Sequence, residues 1–192
     1  MALLALGFSK PTLAQVDEAR AQKIIAGSCF LCHGATGDSA SELFPRLAGQ
    51  HREYIAKQLE NFKSGARKST AMRDMAARLT SEEMLALGQY FEKQSVPVEP
   101  PQNAQLAKLG QSVFHNGNAN NGLPACASCH GPEAKGTGSL PRLASQYAVY
   151  IETQLKQFNA RERTNDNAVM HDIVRKMSPL EMTAVAEYLS SK

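Results

Sequence analysis

Apolar residues recur at helical spacing in two long stretches of this chain, "QHREYIAKQLENFKSG" and "QYAVYIETQLKQFNA". In the first stretch, Ile55, Leu59 and Phe62 are three or four positions apart, which places them on one face of an α-helix. Shorter helices are predicted over residues 17–26 and 104–114. No stretch has the strict apolar–polar alternation of a half-buried strand. The pattern therefore predicts an all-α protein.

Two further segments carry the start signal of a helix. "TSEEMLALGQYFEK" and "SPLEMTAVAEYLSS" begin with Thr80 and Ser178, and a glutamate, Glu83 or Glu181, follows three positions later. In such a capping box the hydroxyl and the carboxylate each accept a hydrogen bond from a backbone N–H group of the first turn. We expect each segment to be the terminal helix of its half of the chain.

The chain contains one unit twice. The pattern "CFLCH" at residues 29–33 meets "CASCH" at residues 126–130 when the chain is shifted by 97 positions, and "PRLA" recurs at a shift of 96. At the shift of 96 the following residues also match: Gln50, Tyr54, Gln58, Leu59, Phe62 and Arg67 with Gln146, Tyr150, Gln154, Leu155, Phe158 and Arg163. After a two-residue insertion near Asn167, the matches are Met72, Met84 and Tyr90 with Met170, Met182 and Tyr188.

A proline-containing stretch separates the two copies. Residues 96–105 contain three prolines, which disfavour a helix and favour an extended, semi-rigid tether. We therefore expect domain 1 at residues 15–95, a linker at 96–105 and domain 2 at 106–192. Two small domains fit the total length of 192 residues.

The first residues contain a short apolar run. Residues 2–8 are apolar and small residues follow up to Ala14, which resembles the end of a secretory signal peptide that is cleaved after Ala14. The basic residues that usually begin such a peptide are missing, so we predict a truncated signal peptide at residues 1–14 and export to a bacterial periplasm. The formal net charge of +3 gives no basis for nucleic-acid binding.

All four cysteines lie in the two pentads, Cys29 and Cys32 in the first and Cys126 and Cys129 in the second. A disulfide framework or a four-thiolate zinc site would also use four cysteines. Neither explains why a histidine follows the second cysteine in both copies. Cys-x-x-Cys-His is the attachment signature of c-type haem, in which the thiols form thioethers and the histidine ligates iron. We therefore predict two covalently bound haem c groups.

The ligand opposite His33 and His130 determines what each iron can do, because a methionine or histidine there closes the site to substrates. The candidates are the seven methionines and three further histidines, His51, His115 and His171. None of these histidines has a counterpart in the other copy. We expect all three at the surface or beside other groups, and not on iron.

Two methionine pairs recur in the repeat. Met84 and Met182 lie on the apolar face of the terminal helices, where a role in the core is expected. Met72 and Met170 lie in loop-like stretches just before those helices, and a loop can present a side chain to the second face of a haem. We therefore predict Met72 and Met170 as iron ligands. Met75 is the alternative in domain 1, but an isoleucine occupies its matching position.

These motifs together resemble the dihaem cytochrome c4 family. The resemblance is carried by "CFLCHG" with "FPRLAGQ", by "GLPACASCHG" with "LPRLASQ", and by "KQLENFKSGARK" and "RTND" before the methionines, and it covers residues 19–189. It implies two class I cytochrome c domains related by a pseudo-two-fold axis, with haems that face one another near the interface and exchange electrons. It also implies a monomeric periplasmic electron carrier, often membrane-associated, with a cytochrome bc complex or dehydrogenase as donor and a terminal oxidase as acceptor.

The resemblance also assigns roles to residues beside the pentads. Pro45 and Pro141 follow the two pentad histidines by twelve and eleven positions. In small class I cytochromes c, a proline at this spacing supplies the carbonyl that accepts the second ring N–H of the histidine. A plain turn proline is the alternative. Arg46 and Arg142 come next and are candidates to pair with haem propionates, or else are solvated.

Two other functions fit similar motifs. A cytochrome subunit of a dehydrogenase complex would use the same chemistry with a different partner. A dihaem enzyme such as a peroxidase needs an open iron, whereas both domains here offer a matched methionine. We therefore expect an electron-transfer protein without catalytic residues.

Overall fold

The computed structural model describes residues 13–192, with side chains from Glu18 onward. The predicted signal peptide, residues 1–14, lies outside this part of the chain except for the first two residues of a helix. Residues 13–192 form ten α-helices, one π-helical turn and two isolated β-bridges, and no strand. The prediction of an all-α protein is confirmed.

Domain 1 consists of five helices around one core. They are α1 (Leu13–Ile24), α2 (Phe30–His33), α3 (Arg52–Ser64), α4 (Thr70–Ala76) and α5 (Ser81–Glu92). A π-helical turn, Ile25–Cys29, joins α1 to α2, so the helix predicted at residues 17–26 is part of a longer helical run into the pentad. The core residues are Ala21, Ile25, Ile55, Leu79, Met84, Leu87 and Phe91.

Domain 2 repeats this arrangement. Its helices are α6 (Ala104–Asn116), α7 (Ala127–His130), α8 (Ala148–Asn159), α9 (Val169–Val174) and α10 (Pro179–Ser190). The Asn103 side chain caps α6 by accepting a hydrogen bond from the backbone of Leu106 at 3.0 Å. For this reason residues 104 and 105, at the end of the predicted linker, form the first turn of the helix that was predicted at residues 104–114.

The first and last helices of domain 2 cross in close contact at Gly110. A Cβ atom at this position would lie 1.9 Å from the backbone oxygen of Ala184 in α10, so only glycine fits. The terminal helices α5 and α10 both begin with the predicted capping boxes, at Thr80 and Ser178. Met84 and Met182 are 1% and 4% exposed, which confirms their expected place in the core.

The two domains contact each other through reciprocal glutamine bonds. The Gln146 side chain accepts from Arg46 N at 2.8 Å and donates to Arg46 O at 2.9 Å. Gln50 does the same with the backbone of Arg142, at 2.9 Å for both bonds. Because matching residues exchange roles, the two domains are related by a pseudo-two-fold axis. No helix within residues 13–192 is long and apolar enough to cross a membrane.

Candidate haem-binding sites

Each pentad forms one helical turn that brings two thiols and an imidazole together. Cys29 ends the π-helical turn and Cys32 lies in α2, while Cys126 is the N-cap residue of α7 and Cys129 lies within it. All four thiols are free. Burial raises the pKa of the Cys29 thiol, and it raises the pKa of Cys126 to about 11. The thiols of Cys29 and Cys126 are therefore protonated, and none of the four thiols is blocked by a disulfide.

The pentad histidines are buried and held by one ring nitrogen. His33 Nδ1 lies 3.0 Å from Pro45 O, and His130 Nδ1 lies 3.4 Å from Pro141 O. A carbonyl only accepts, so Nδ1 carries the proton and Nε2 keeps a lone pair for a metal. Burial lowers the pKa of both imidazoles and outweighs the proline carbonyls, which raise it. The lowered pKa keeps the imidazoles neutral, as metal ligation requires.

The structure places Met72 and Met170 in short helices and not in loops, which corrects the sequence prediction on this point. Met72 belongs to α4, and its backbone N–H donates to Ser69 Oγ at 3.3 Å. Met170 belongs to α9, and its backbone N–H donates to Asp166 Oδ2 at 2.5 Å. Ser69 is the N-cap residue of α4, whereas Asp166 lies two positions before the N-cap residue Ala168 of α9; each side chain satisfies a first-turn N–H group that has no partner within its helix. Ser69 and Asp166 were the residues in the sequence that could have indicated the starts of these two short helices.

Met75, the alternative in domain 1, lies on the same helix as Met72 and is 51% exposed. Met72 is half-buried, and Met170 packs against the core of domain 2. Met72 and Met75 therefore differ in exposure, and a comparison of single variants at the two positions can show which of them ligates the iron of domain 1.

The two arginines proposed for the propionates are in different environments. Arg46 donates from Nε to Asp38 Oδ1 at 2.7 Å and from Nη1 to the backbone oxygen of Ser145, and it stacks 4.5 Å from the Tyr147 ring. Arg142 Nε is buried and has no hydrogen-bond partner among the described residues. A buried donor without a partner is costly. Neither arginine is a plainly solvated side chain, and Arg142 has the donor that fits a carboxylate.

The three other histidines bind groups of the protein. His51 Nε2 lies 2.7 Å from Lys135 O in the other domain, and His115 Nε2 lies 2.9 Å from Tyr188 OH. His171 Nδ1 lies 3.0 Å from Phe158 O.

Two arginines for which the sequence motifs predicted no role, Arg67 and Arg163, each form hydrogen bonds with residues of both domains. Arg67 is 9% exposed, and its Nη1 donates to Gln58 Oε1 at 2.9 Å. Its Nη2 donates into domain 2, to Tyr150 OH and Gln154 Oε1, both at 2.8 Å. Burial raises the pKa of Tyr150, but the adjacent guanidinium groups outweigh this effect and lower it. The guanidinium of Arg67 also stacks 4.6 Å from the Phe62 ring.

Arg163 makes the mirrored contacts from domain 2. Its Nη1 donates to Gln154 Oε1 at 2.8 Å, and its Nη2 donates to Tyr54 OH at 2.9 Å and Gln58 Oε1 at 3.2 Å. The guanidinium stacks 4.5 Å from the Phe158 ring. All of these residues matched in the internal repeat, so the repeat itself was the signal for this contact.

The donor set of both domains fits haem c. Each domain offers two free thiols and a histidine with Nε2 available, together with a methionine whose sulfur is a soft ligand of the kind that haem iron accepts. The unpartnered Arg142 Nε fits a propionate oxygen.

Comparison with known proteins gives several matches of high coverage, of which four are described. The cytochrome c family profile matches residues 18–94 and 107–192. Cytochrome c4 of Thiocapsa roseopersicina is 41% identical over 180 residues, covering 91% of this chain and 90% of the relative. The thiosulfate dehydrogenase electron acceptor of Thiomonas intermedia is 37% identical, covering 87% and 79%. The crystal structure of reduced recombinant cytochrome c4 from Pseudomonas stutzeri superposes with a TM-score of 0.85 at 32% identity, covering 91% of this chain and 97% of that one.

Proposed function

Since the chain belongs to the cytochrome c family, as a tandem-domain member of the cytochrome c4 type, we propose that it is a periplasmic carrier of single electrons between respiratory donors and a terminal oxidase. Its relatives establish the coarser statement: it is a dihaem electron-transfer cytochrome with two covalently bound haem c groups. The periplasmic location, the donor and the acceptor are the proposed part.

We propose the same set of holding residues in each domain. Haem c, when bound, supplies an iron that gains and loses one electron reversibly. In domain 1, Cys29 and Cys32 would hold the group covalently, and His33, through Nε2, and Met72 would be the iron ligands. The matching residues of domain 2 are Cys126, Cys129, His130 and Met170. Pro45 and Pro141 orient the imidazoles, and Arg142 is the better candidate for a propionate because Arg46 is already engaged by Asp38.

One observation carries the proposal: both pentad histidines give Nδ1–H to a proline carbonyl in the same way. This bond fixes the orientation of the ring and strengthens the ligand, so the site is built to hold iron in one geometry. With a methionine as the second protein ligand, no position on the iron would be open to a substrate. The chain is therefore proposed to be a carrier and not an enzyme.

An optical spectrum of the oxidised and reduced holoprotein tests the ligands. We expect two haems per chain, the weak far-red charge-transfer band of methionine-ligated ferric haem, and no response to carbon monoxide. Met72→Ala should halve the far-red band and open one haem to carbon monoxide, and Met170→Ala should do the same for the other haem. Met75→Ala, in the same helix as Met72, is the matched control and should leave the spectrum unchanged. A band that is halved in Met75→Ala and unchanged in Met72→Ala would contradict the assignment.

A second candidate function is electron acceptance from a thiosulfate dehydrogenase. The observation in its favour is the identity of 37% to the thiosulfate dehydrogenase electron acceptor of Thiomonas intermedia. We expect thiosulfate alone to leave the oxidised holoprotein unchanged, because a carrier has no substrate site. Reduction that occurs only when the catalytic dehydrogenase is added would favour this second function, and oxidation by respiratory membranes would favour the first.

A further inference from the structure

Two buried guanidinium groups lie together between the domains without a negative partner. Arg67 and Arg163 are 9% and 7% exposed. Every acceptor that they use among the described residues is the uncharged oxygen of an amide or a phenol. Arginine is seldom buried to this extent unless an opposite charge is beside it. We call Arg67 and Arg163 the arginine pair.

Two shared acceptors hold the members of the arginine pair close to each other. Gln58 Oε1 accepts from Arg67 Nη1 at 2.9 Å and from Arg163 Nη2 at 3.2 Å. Gln154 Oε1 accepts from Arg67 Nη2 and from Arg163 Nη1, both at 2.8 Å. The two positive charges therefore repel each other in a place where solvent screens them little. A negative charge bound here would remove this repulsion.

The hydrogen-bond donors at the arginine pair outnumber the acceptors. Gln58 Oε1 also accepts from Asn165 Nδ2 at 3.0 Å, so three donors share one oxygen that has two lone pairs. The hydroxyl oxygens of Tyr54 and Tyr150 accept from the guanidinium groups. Neither hydroxyl donates its own proton to an acceptor in the part of the chain that the structure describes. Two phenol O–H groups therefore remain available to a further acceptor, beside the two cations.

Another buried arginine shows that this chain supplies a carboxylate where it buries a guanidinium group for structure alone. Arg46 is 5% exposed, its Nε lies 2.7 Å from Asp38 Oδ1, and its Nη2 lies 3.7 Å from Glu99 Oε1. Within the described residues, no aspartate or glutamate forms an ion pair with the arginine pair. The negative charge that the arginine pair needs therefore comes from a group other than a side chain of this part of the chain.

A cavity gives access to the arginine pair from one side. It has a volume of about 260 Å³ and is lined by Lys68, Gln157, Glu162 and Arg163. Lys68 and Glu162 are exposed, so the cavity opens to solvent at the edge of the contact between the domains. A small anion can reach Arg163 by this route.

We propose that the arginine pair, with the hydroxyls of Tyr54 and Tyr150, is a binding site for a carboxylate or another oxyanion that both domains share. Guanidinium groups bind such anions through parallel N–H bonds. The anion has two possible sources, which are the propionate carboxylates of the bound haems and a free oxyanion such as phosphate. We expect the propionates, because Arg67 and Arg163 shortly precede the predicted iron ligands Met72 and Met170 in the sequence.

The test is a spectroelectrochemical titration of the holoprotein, which measures the ratio of oxidised to reduced haem at each applied potential. A positive charge beside a haem favours the reduced state, because reduction adds a negative charge. Arg67→Gln should therefore raise the ratio of oxidised to reduced haem at a fixed potential about tenfold for one haem, and Arg163→Gln should do so for the other. Arg67→Lys keeps the charge and should stay within about twofold of the wild type. Arg78→Gln, at an exposed position of domain 1, is the matched control and should change neither haem.

A phosphate titration at constant ionic strength distinguishes the two sources. Propionates are part of the holoprotein, so the Tm of the wild type should stay the same when phosphate replaces chloride. A Tm that rises with phosphate until it saturates, in the wild type and not in Arg67→Gln, would assign the site to a free oxyanion instead.

Two results overturn the proposal. No anion is bound if Arg67→Gln and Arg163→Gln match Arg78→Gln both in their redox titrations and in their response to phosphate. The shape of the side chain, and not its charge, is responsible if Arg67→Lys changes the titration as much as Arg67→Gln.

Tyr150→Phe keeps the proposal testable if Arg67→Gln does not bind both haems. Loss of the phenol O–H donor should change the ratio of oxidised to reduced haem by about two- to threefold, whereas a hydroxyl without an anion beside it would change neither haem. The haem content of each variant, from its absorption spectrum, shows that both sites are filled. These measurements use the purified holoprotein alone, so they stand even if the proposed donor and acceptor are wrong.

Discussion

Gln146→Ala is expected to weaken the contact between the two domains by an amount that follows from its hydrogen bonds. Gln146 is 8% exposed and forms two bonds, at 2.8 and 2.9 Å, with the backbone N–H and C=O of Arg46. Alanine leaves both groups buried without a partner, which costs about 1–3 kcal/mol for each, or about 2–6 kcal/mol together. Water that enters the vacated space recovers part of this cost. We therefore expect a loss of about 3 kcal/mol in the free energy of unfolding.

Calorimetry and urea unfolding of the holoprotein measure this loss. For a chain of this length, about 3 kcal/mol corresponds to a fall in Tm of about 6–12 °C. Gln111→Ala is the control, because Gln111 is exposed on α6 of the same domain and should change stability by less than about 0.5 kcal/mol. The pseudo-two-fold axis predicts that Gln50→Ala matches Gln146→Ala. The reasoning is refuted if Gln146→Ala is no less stable than the Gln111→Ala control.

Three further predictions concern single positions. Gly110→Ala should destabilise domain 2 by about 1–3 kcal/mol or more in urea unfolding, because its Cβ would lie 1.9 Å from Ala184 O. Burial raises the pKa of Glu181, but hydrogen bonds from Asn118 and Ser178 outweigh it and hold the pKa below the usual range. The contribution of the Glu181 carboxylate to stability is therefore complete above about pH 4.3, the pKa in the unfolded chain, and is lost as the pH falls through the lower pKa of the folded state. The free energy of unfolding of Glu181→Gln should therefore depend less on pH in this acidic range; a variant with the same pH dependence as the wild type would contradict this. Asp166→Ala removes the carboxylate that accepts a hydrogen bond from Met170 N–H in the first turn of α9 and should cost about 1 kcal/mol. This cost is seen as loss of the far-red band of one haem at a lower temperature, while Thr164→Ala, at an exposed position, should leave that temperature unchanged.

The internal repeat made much of this fold predictable. The capping boxes at Thr80 and Ser178 and the core positions of Met84 and Met182 recur in both copies and followed from pattern alone, although the matched residues Arg46 and Arg142 have different partners. The pentads likewise identified the covalent cofactor, because no other common site needs two cysteines and an adjacent histidine at that spacing.

The contacts between the domains could not be predicted in the same way. The repeat showed that Gln50 and Gln146 correspond, but a match gives no distance, and nothing local indicates that each glutamine binds the backbone of the other domain. The helices that carry Met72 and Met170 were missed because they are only seven and six residues long, too short for a periodic pattern. Their start depends on one side-chain acceptor each.

The reciprocal glutamine bonds make this chain equivalent to a homodimer whose subunits have been joined. Each domain contributes the same surface patch to the contact, which is the property of an isologous two-fold interface. The proline-containing linker turns what would be association of two molecules into an intramolecular step, which raises the effective concentration of each domain for the other. An interface too weak to hold two separate small domains together is therefore sufficient here. A substitution in one copy of the shared patch changes only half of the interface. The two halves of the gene can therefore diverge at their outer surfaces while the interface between the domains is kept.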